Sequence, residues 1–470
     1  MLRAEFGEFG FRDRPIVSIV VASYMFFTAI CTAALPFADL LSKFRSVVLF
    51  VPAIPCHNAA PMPESVPPRN PSLRSTLLAC VAFLALSSLW LLIALRFSQT
   101  GWDFTQFYIA AHLPVSSLYD HTTFAAVGRK LLEPMGIAYY PPFVRPALFA
   151  LALKPLALFS YWSAFWLWAA IGLAAYLAAL LILFRWLALP RNLLPAFALF
   201  SPSLFGIVTG QDANVYLIVL LAALLLIAGG SEIAAGLLLA LCVYKFNLLL
   251  FVPFVLLFKA RWKSLFAFLL GSAAVAIFSA LLAPPSQYLA LLRSIPQLTI
   301  GFIPGALRGV SIRTGHELLY FPFAAVAAAF CLYLIWKLPL VEAFCVAVIA
   351  ALLLGYHVTW YDCALLVLPI CVAWRNAGSK TRASLLALLV LPFLWILGKE
   401  VFQVIAETII LFPFARMAFV APTTPRGPGV RFPCRLSDGG FKVLGRHAFS
   451  KLPQVRLIHR VLETLTCQST

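Results

Sequence analysis

Four short segments of this chain carry side chains that can do acid–base or ionic chemistry. They stand out because only 11% of the 470 residues are charged while 63% are hydrophobic. The first is Gly101-Trp102-Asp103-Phe104, just past an apolar run that ends near Phe97. A carboxylate at a dry boundary has its pKa raised and can take a proton from a hydroxyl as a general base. Asp is also a preferred helix N-cap, so the same residue reads equally as the start of a juxtamembrane helix. Asp120, further along the same segment, reads as a cap on that ground.

The second segment is Gly210-Gln211-Asp212-Ala213-Asn214, between two apolar runs. Its polar groups mark either a cavity or an ordinary interhelical turn with Asp212 as cap. The third is Lys245, in the middle of an apolar stretch, where an ammonium is expensive unless it has a partner or snorkels to an interface. A phosphate would be its natural point-charge partner. The fourth runs from His357 to Asp362. These residues are five apart, so they miss the one-face spacing of a helix and share a site only if His357 sits in the preceding turn.

The elements that must hold these residues are membrane helices. Mean hydropathy is +0.96, and apolar runs long enough to cross a hydrocarbon core of about 30 Å recur from Ile16 to Phe419. None alternates with period two, which argues for helices over a barrel. The expected crossings are 76–98, 143–160, 161–184, 193–209, 213–229, 233–258, 263–283, 319–337, 340–356, 359–375, 383–398 and 400–419. With Ile16–Leu35 this makes an all-α polytopic integral membrane protein of about 11–13 spans. The charge rule places Lys259, Arg261 and Lys263 in the cytoplasm and the Asp103 end outside. Parity fails near Arg185 unless one of 143–160 and 161–184 is re-entrant. Lys245 and Pro253 likewise divide 233–258 into two half-spans with Lys245 near the joint.

Two long outer connections remain, 99–142 and 284–318, the latter with Arg308 and Arg313. Connections of that length are usually functional or disordered. Residues 1–75 read as an extension with a Pro-rich linker, 76–419 as the working membrane domain, and 420–470 as a basic tail without a fold. The net charge of +18 fits short basic loops and a tail drawn to anionic lipid. No basic patch interleaved with aromatics supports nucleic-acid binding. None of the ten cysteines stands in a paired CxxC or beside a His at metal-ligand spacing, so neither disulfides nor a metal site is expected.

In order and spacing the chain resembles glycosyltransferase family 87 over roughly residues 76–400. The resemblance rests on Asp103-Phe104 with Tyr108, Ala110-Ala111 and Leu118-Tyr119-Asp120. It continues through Tyr140-Pro141-Pro142-Phe143, Gly210-Gln211 with Asn214, the stretch from Ala235-Gly236 to Lys245, and Tyr361-Asp362. It implies a C-type membrane glycosyltransferase with a long first outer loop and Asp103 as the base. The donor it implies is a polyprenyl-phosphate sugar, mannose foremost, and the acceptor a lipid or glycan. On this reading Tyr108, Gln211, Asn214, Lys245, Arg308, Arg313, His357 and Asp362 bind substrate, with no cofactor and no metal. The setting is the outer face of the inner membrane, in a multi-pass protein. Leu307-Arg308-Gly309-Val310-Ser311 departs from the Asn-Gln-Ser-like segment of such enzymes. The competing expectations are a lipid or sugar transporter or flippase, against which no inverted repeat is visible, and a catalytically inactive relative.

Overall fold

The computed structural model describes residues 101–138, 140–298, 306–355, 358–390 and 399–420. The expected crossings at Ile16–Leu35 and 76–98, the tail, and His357 lie outside these. Among the described residues all regular structure is helical.

The first described residue is Gly101, whose φ of +77° a side chain would strain, and whose added Cβ would meet the Tyr161 hydroxyl at 2.7 Å. Helix α1 (Phe104–His112) follows and stops ahead of Pro114. The Lys154 ammonium lies on its last carbonyls, those of Ala110, Ala111 and Leu113, where a cation suits the helix dipole. Helix α2 (His121–Leu132) starts at Asp120, which accepts from the Thr122 N–H at 3.0 Å and the Thr123 hydroxyl at 2.5 Å. The cap reading of Asp120 therefore holds.

Next come α3 (Ala147–Leu153), which passes at Lys154-Pro155 into a 3-10 turn, and α4 (Tyr161–Trp186). Only the second is long enough to cross; Ala147–Leu158 is a short apolar helix. The parity problem between the two expected spans is resolved in this way. Helices α5 (Leu194–Ala198) and α6 (Ser201–Thr209) form a pair bent by 43°, with Pro195 and Pro202 in their first turns. After α7 (Ala213–Ala228), the stretch 232–258 is broken as expected. Helix α8 (Glu232–Leu241) gives way to a 3-10 segment, Cys242–Leu249, and then to α9 (Val252–Phe258). The break falls at Lys245, whose φ −122°, ψ 60° is not helical.

Helix α10 (Trp262–Leu282) packs on α8 along small residues. A Cβ on Gly236 would meet the Ser264 carbonyl at 2.3 Å, and one on Gly271 would meet Ala240 at 2.6 Å. Such close backbone approach is how membrane helices gain dispersion contacts when lipid removes the hydrophobic drive. The expected outer loop 284–318 carries two helices, α11 (Pro285–Leu298) and α12 (Ala306–Arg313). Then follow α13 (Tyr320–Lys337), α14 (Leu340–Leu354), α15 (Val367–Asn376), α16 (Ser379–Val390) and α17 (Lys399–Val420). Helix α14 is buried from Ala343 to Leu354 on every face, which makes it the central element of the larger apolar core.

Among the described residues five helices are long and apolar enough to cross a membrane, or six if the bent pair counts as one span. That count covers the described residues alone, against 11–13 expected for the whole chain. Several apolar runs are short, or broken at Lys245 and at prolines, and the first two runs lie outside the described residues. Outward-facing Trp166, Leu237, Phe266, Leu270, Phe278, Phe321 and Val326 are exposed, a surface that suits lipid rather than water.

Candidate active site

Asp103 occupies the N-cap position of α1, yet its side chain makes no cap hydrogen bond. The surrounding backbone is fastened to the end of α6: Gly101 N–H donates to the Val208 carbonyl at 3.0 Å and Asp103 N–H to that of Thr209 at 3.1 Å. The Tyr161 hydroxyl holds the Gly101 carbonyl at 2.7 Å. Gly210, with φ +80°, lets α1 approach so closely that an added Cβ would stand 2.5 Å from that of Phe104. The Asp103 carboxylate lies near the Gln211 side chain. Loss of water is the largest influence on this carboxyl and raises its pKa from 3.8 to about 6. The polar Gln211 side chain and the charges of Lys245 and Arg145 oppose the rise, and that of Asp362 adds to it.

Behind Asp103 lies a chain of four buried charges drawn from four separate segments. Arg145 grips Asp212 through Nε and Nη2 at 3.0 and 3.1 Å. The Lys245 ammonium bridges Asp212 at 2.7 Å and Asp362 at 2.8 Å. The other oxygen of Asp362 accepts from the Thr359 N–H at 3.0 Å and its hydroxyl at 2.9 Å, completing a capping box on the 3-10 turn Trp360–Leu366. Arg145 also lies over the Phe107 ring at 5.0 Å and the Tyr244 ring at 5.8 Å. Buried charges survive only when paired and hydrogen-bonded, and removing one partner strands the rest. The break at Lys245 and the αL turn at Gly210 are the backbone features that aim these groups at one another.

Arg145 is itself held by its backbone. The Tyr119 hydroxyl donates to the Arg145 carbonyl at 2.9 Å, and Tyr288 from α11 donates to that of Val144 at 3.1 Å. Pro146 disfavours a helical conformation at Arg145, which lies at a bend just ahead of α3. The Tyr140-Pro141-Pro142-Phe143 run thus belongs to a clamped strand of backbone that delivers a guanidinium to the acid site.

With this geometry in view, comparison with known families is informative. The sequence profile of glycosyltransferase family 87 matches residues 139–397, more than half of the chain. The chain belongs to glycosyltransferase family 87. No curated protein and no solved structure matches it. The family match contains Arg145, Gln211, Asp212, Lys245 and Asp362; Asp103 lies ahead of it.

Of the residues singled out in the sequence of this glycosyltransferase, Asp103, Gln211, Lys245 and Asp362 come together. Tyr108 packs among Phe104, His112 and Tyr161, and its hydroxyl is taken by the Phe159 carbonyl at 3.0 Å. Asn214 is fully buried and donates to the Ser203 carbonyl at 3.0 Å, tying α7 to α6. Arg308 lies on α12, which packs against α17 and α14. The side chain of Arg313 is outside the described residues, as is His357. Sequence reasoning passed over Arg145 and left Asp212 between a cavity group and a helix cap. Asp212 makes no cap bond and is the anion shared by both cations. The signal for Arg145 was present: an arginine between prolines at the head of an apolar run, where an unpaired charge is costly.

Proposed function

We propose that this glycosyltransferase moves a hexose, mannose foremost, from a polyprenyl-phosphate donor to a hydroxyl of a lipid or glycan acceptor, with Asp103 as general base. The observation that carries the reading is the Asp103 carboxylate itself: it makes no cap hydrogen bond, its backbone is fastened to the end of α6, and burial raises its pKa to about 6. A base serves best when its pKa lies near the working pH.

In the step proposed, the acceptor oxygen attacks the anomeric carbon as its proton passes to Asp103. The bond from that carbon to the phosphate oxygen breaks, and the electron pair leaves with the polyprenyl phosphate. One displacement inverts the anomeric centre. Arg145 and Lys245 are the cations nearest the base. With both ionised beside Asp212 and Asp362, the four-charge chain is neutral, so the phosphate is met by oriented N–H donors rather than by a net positive field. Arg308, Arg313 and His357 are further candidates for the donor phosphate or the acceptor; Tyr108 and Asn214 shape the walls.

The outer face of the inner membrane is the proposed setting. Arg261 pairs with Glu232 at 3.0 Å and Lys259 donates to the Trp336 carbonyl at 2.7 Å, so these basic residues share one end of the helices. Asp103 stands at the other, beside Tyr161 at the start of α4. Basic residues favour the cytoplasmic side.

The test is transfer of radiolabelled mannose from polyprenyl-phosphate mannose by the purified full chain in lipid nanodiscs, set against Asp103→Asn. Transfer that survives the substitution removes Asp103 as base. Absence of transfer from any polyprenyl-phosphate sugar removes the donor class.

A further inference from the structure

Arg145 is a buried cation with one edge unspent. Its side chain is 7% exposed. Nε and Nη2 are both committed to Asp212, and the Phe107 and Tyr244 rings lie 5.0 and 5.8 Å from the guanidinium carbon. Every guanidinium nitrogen donates, yet Nη1 has no hydrogen-bond partner among the described residues. Nη1 is also not sealed from solvent. A desolvated cation that keeps donors open on one side suits an oxyanion that comes to it. Lys245 suits one less, because its ammonium already lies between two carboxylates.

The direction of that edge is fixed from behind. Residues 141–146 lie outside any helix, so their carbonyls have no ladder to join. Those of Val144 and Arg145 are taken by tyrosine hydroxyls from two separate segments. Tyr119, between α1 and α2, donates to Arg145 at 2.9 Å, and Tyr288 of α11 donates to Val144 at 3.1 Å. The two rings rest on each other, with centroids 4.7 Å apart, so a shift of one presses on the other. A further tie, from the Leu148 N–H to the Ser279 hydroxyl at 3.3 Å, fastens the start of α3 to α10.

We infer that Tyr119 and Tyr288 are positioning residues: their hydroxyls hold the backbone at Arg145 so that Nη1 meets an oxygen of the phosphate monoester on a prenyl donor. Helix α11, in the connection 284–318, thereby acts on the donor through a single hydroxyl, although it supplies none of the four charges of the ion chain. The phosphate half rests on the glycosyl-transfer reading; the clamp on Arg145 does not.

The test reads binding rather than turnover. Capture of tritiated farnesyl phosphate by the full chain in nanodiscs is measured above that of empty nanodiscs, with farnesol and inorganic phosphate as competitors. The proteins compared are wild type, Tyr119→Phe, Tyr288→Phe, Arg145→Lys, and each Phe variant combined with Arg145→Lys. Phenylalanine keeps the ring contact and loses only the hydroxyl. Each single Phe variant is expected to raise Kd for farnesyl phosphate about fivefold. The inhibition constant of farnesol should stay within about twofold, whereas a general loosening would move both. Arg145→Lys, which has no second edge to offer, should raise Kd about tenfold. Added to it, either Phe substitution should cost less than about twofold more, because its effect passes through the guanidinium.

An unchanged Kd in both Phe variants overturns the positioning role. Full additivity with Arg145→Lys overturns the route through Arg145. If Arg145→Lys does not fold, the split between farnesyl phosphate and farnesol in the single Phe variants decides. Wild type that binds farnesyl phosphate no tighter than farnesol, or releases it to inorganic phosphate as readily as to unlabelled farnesyl phosphate, overturns the prenyl-phosphate half. Wild type that binds as expected yet transfers no mannose overturns the proposed transfer and leaves the clamp standing.

Discussion

Asp103 and Asp120 open helices α1 and α2, each at the N-cap position. Asp120 does what that position invites. It is exposed, accepts from Thr122 and Thr123, and these hydrogen bonds, the Thr123 hydroxyl first, hold its pKa below the usual value. Asp103 does the opposite: it leaves the helix N–H groups alone, lies near Gln211, and is pushed up to about 6 by burial. The same residue at the same local position thus acquires opposite electrostatics. What differs is the packing of distant segments, because α6, Gly210 and Tyr161 close round one and water surrounds the other.

That contrast can be broken most severely at Asp103. Asp103→Asn should reduce transfer by about 10²- to 10⁴-fold, the usual worth of a general base, whereas Asp120→Ala should leave it within about twofold; radiolabelled transfer under equal protein loading reads both. Next in size is the ion chain that the exposed aspartate lacks. Arg145→Met strands Asp212 beside Lys245 and should cost about 3–5 kcal/mol of stability, measured as a lower unfolding temperature in nanodiscs. Arg145→Lys, which cannot grip Asp212 by two nitrogens, should recover only part of it.

Titration sharpens the comparison further. Transfer should fall as pH drops through about 6, approaching tenfold per pH unit below it, as Asp103 takes up a proton. The smallest effects concern stability, and they carry opposite signs. A carboxyl whose folded pKa is raised binds more protons folded than unfolded, so its ionisation costs stability as pH rises from about 4 to 6. Asp103→Asn should therefore unfold at a higher temperature than wild type at pH 8, with the gap closing below pH 4. Asp120, whose folded pKa is lowered, stabilises above its ordinary value and loses this as pH falls through the folded one. Asp120→Ala should unfold at a lower temperature than wild type at pH 7, and the gap should close in strong acid.

Much of the site could be read from residue types alone because charge is scarce in this chain. A lysine in an apolar run had to be paired or placed at a break, and Lys245 is both. Asp120 could be read as a cap because Thr122 and Thr123 stand within reach of it in sequence. Asp103 could not be decided that way, since the contacts that free it from capping come from residues about a hundred positions on. Arg145 was hidden by the apolar run it heads, and its partner Asp212 by a turn that looked complete without it. Hydropathy measures apolar length and does not see the kinks at Lys245 and the prolines that shorten the helices, so expected crossings and long helices do not coincide one for one.

One of those shortened elements reaches beyond the protein. If wholly α-helical, Ala147–Leu158 would extend only about 18 Å, well under the roughly 30 Å of a bilayer core. We expect sugar transfer to depend on bilayer thickness: a lipid-facing element this short is matched by a thinner bilayer, so shorter acyl chains should favour the site beside it.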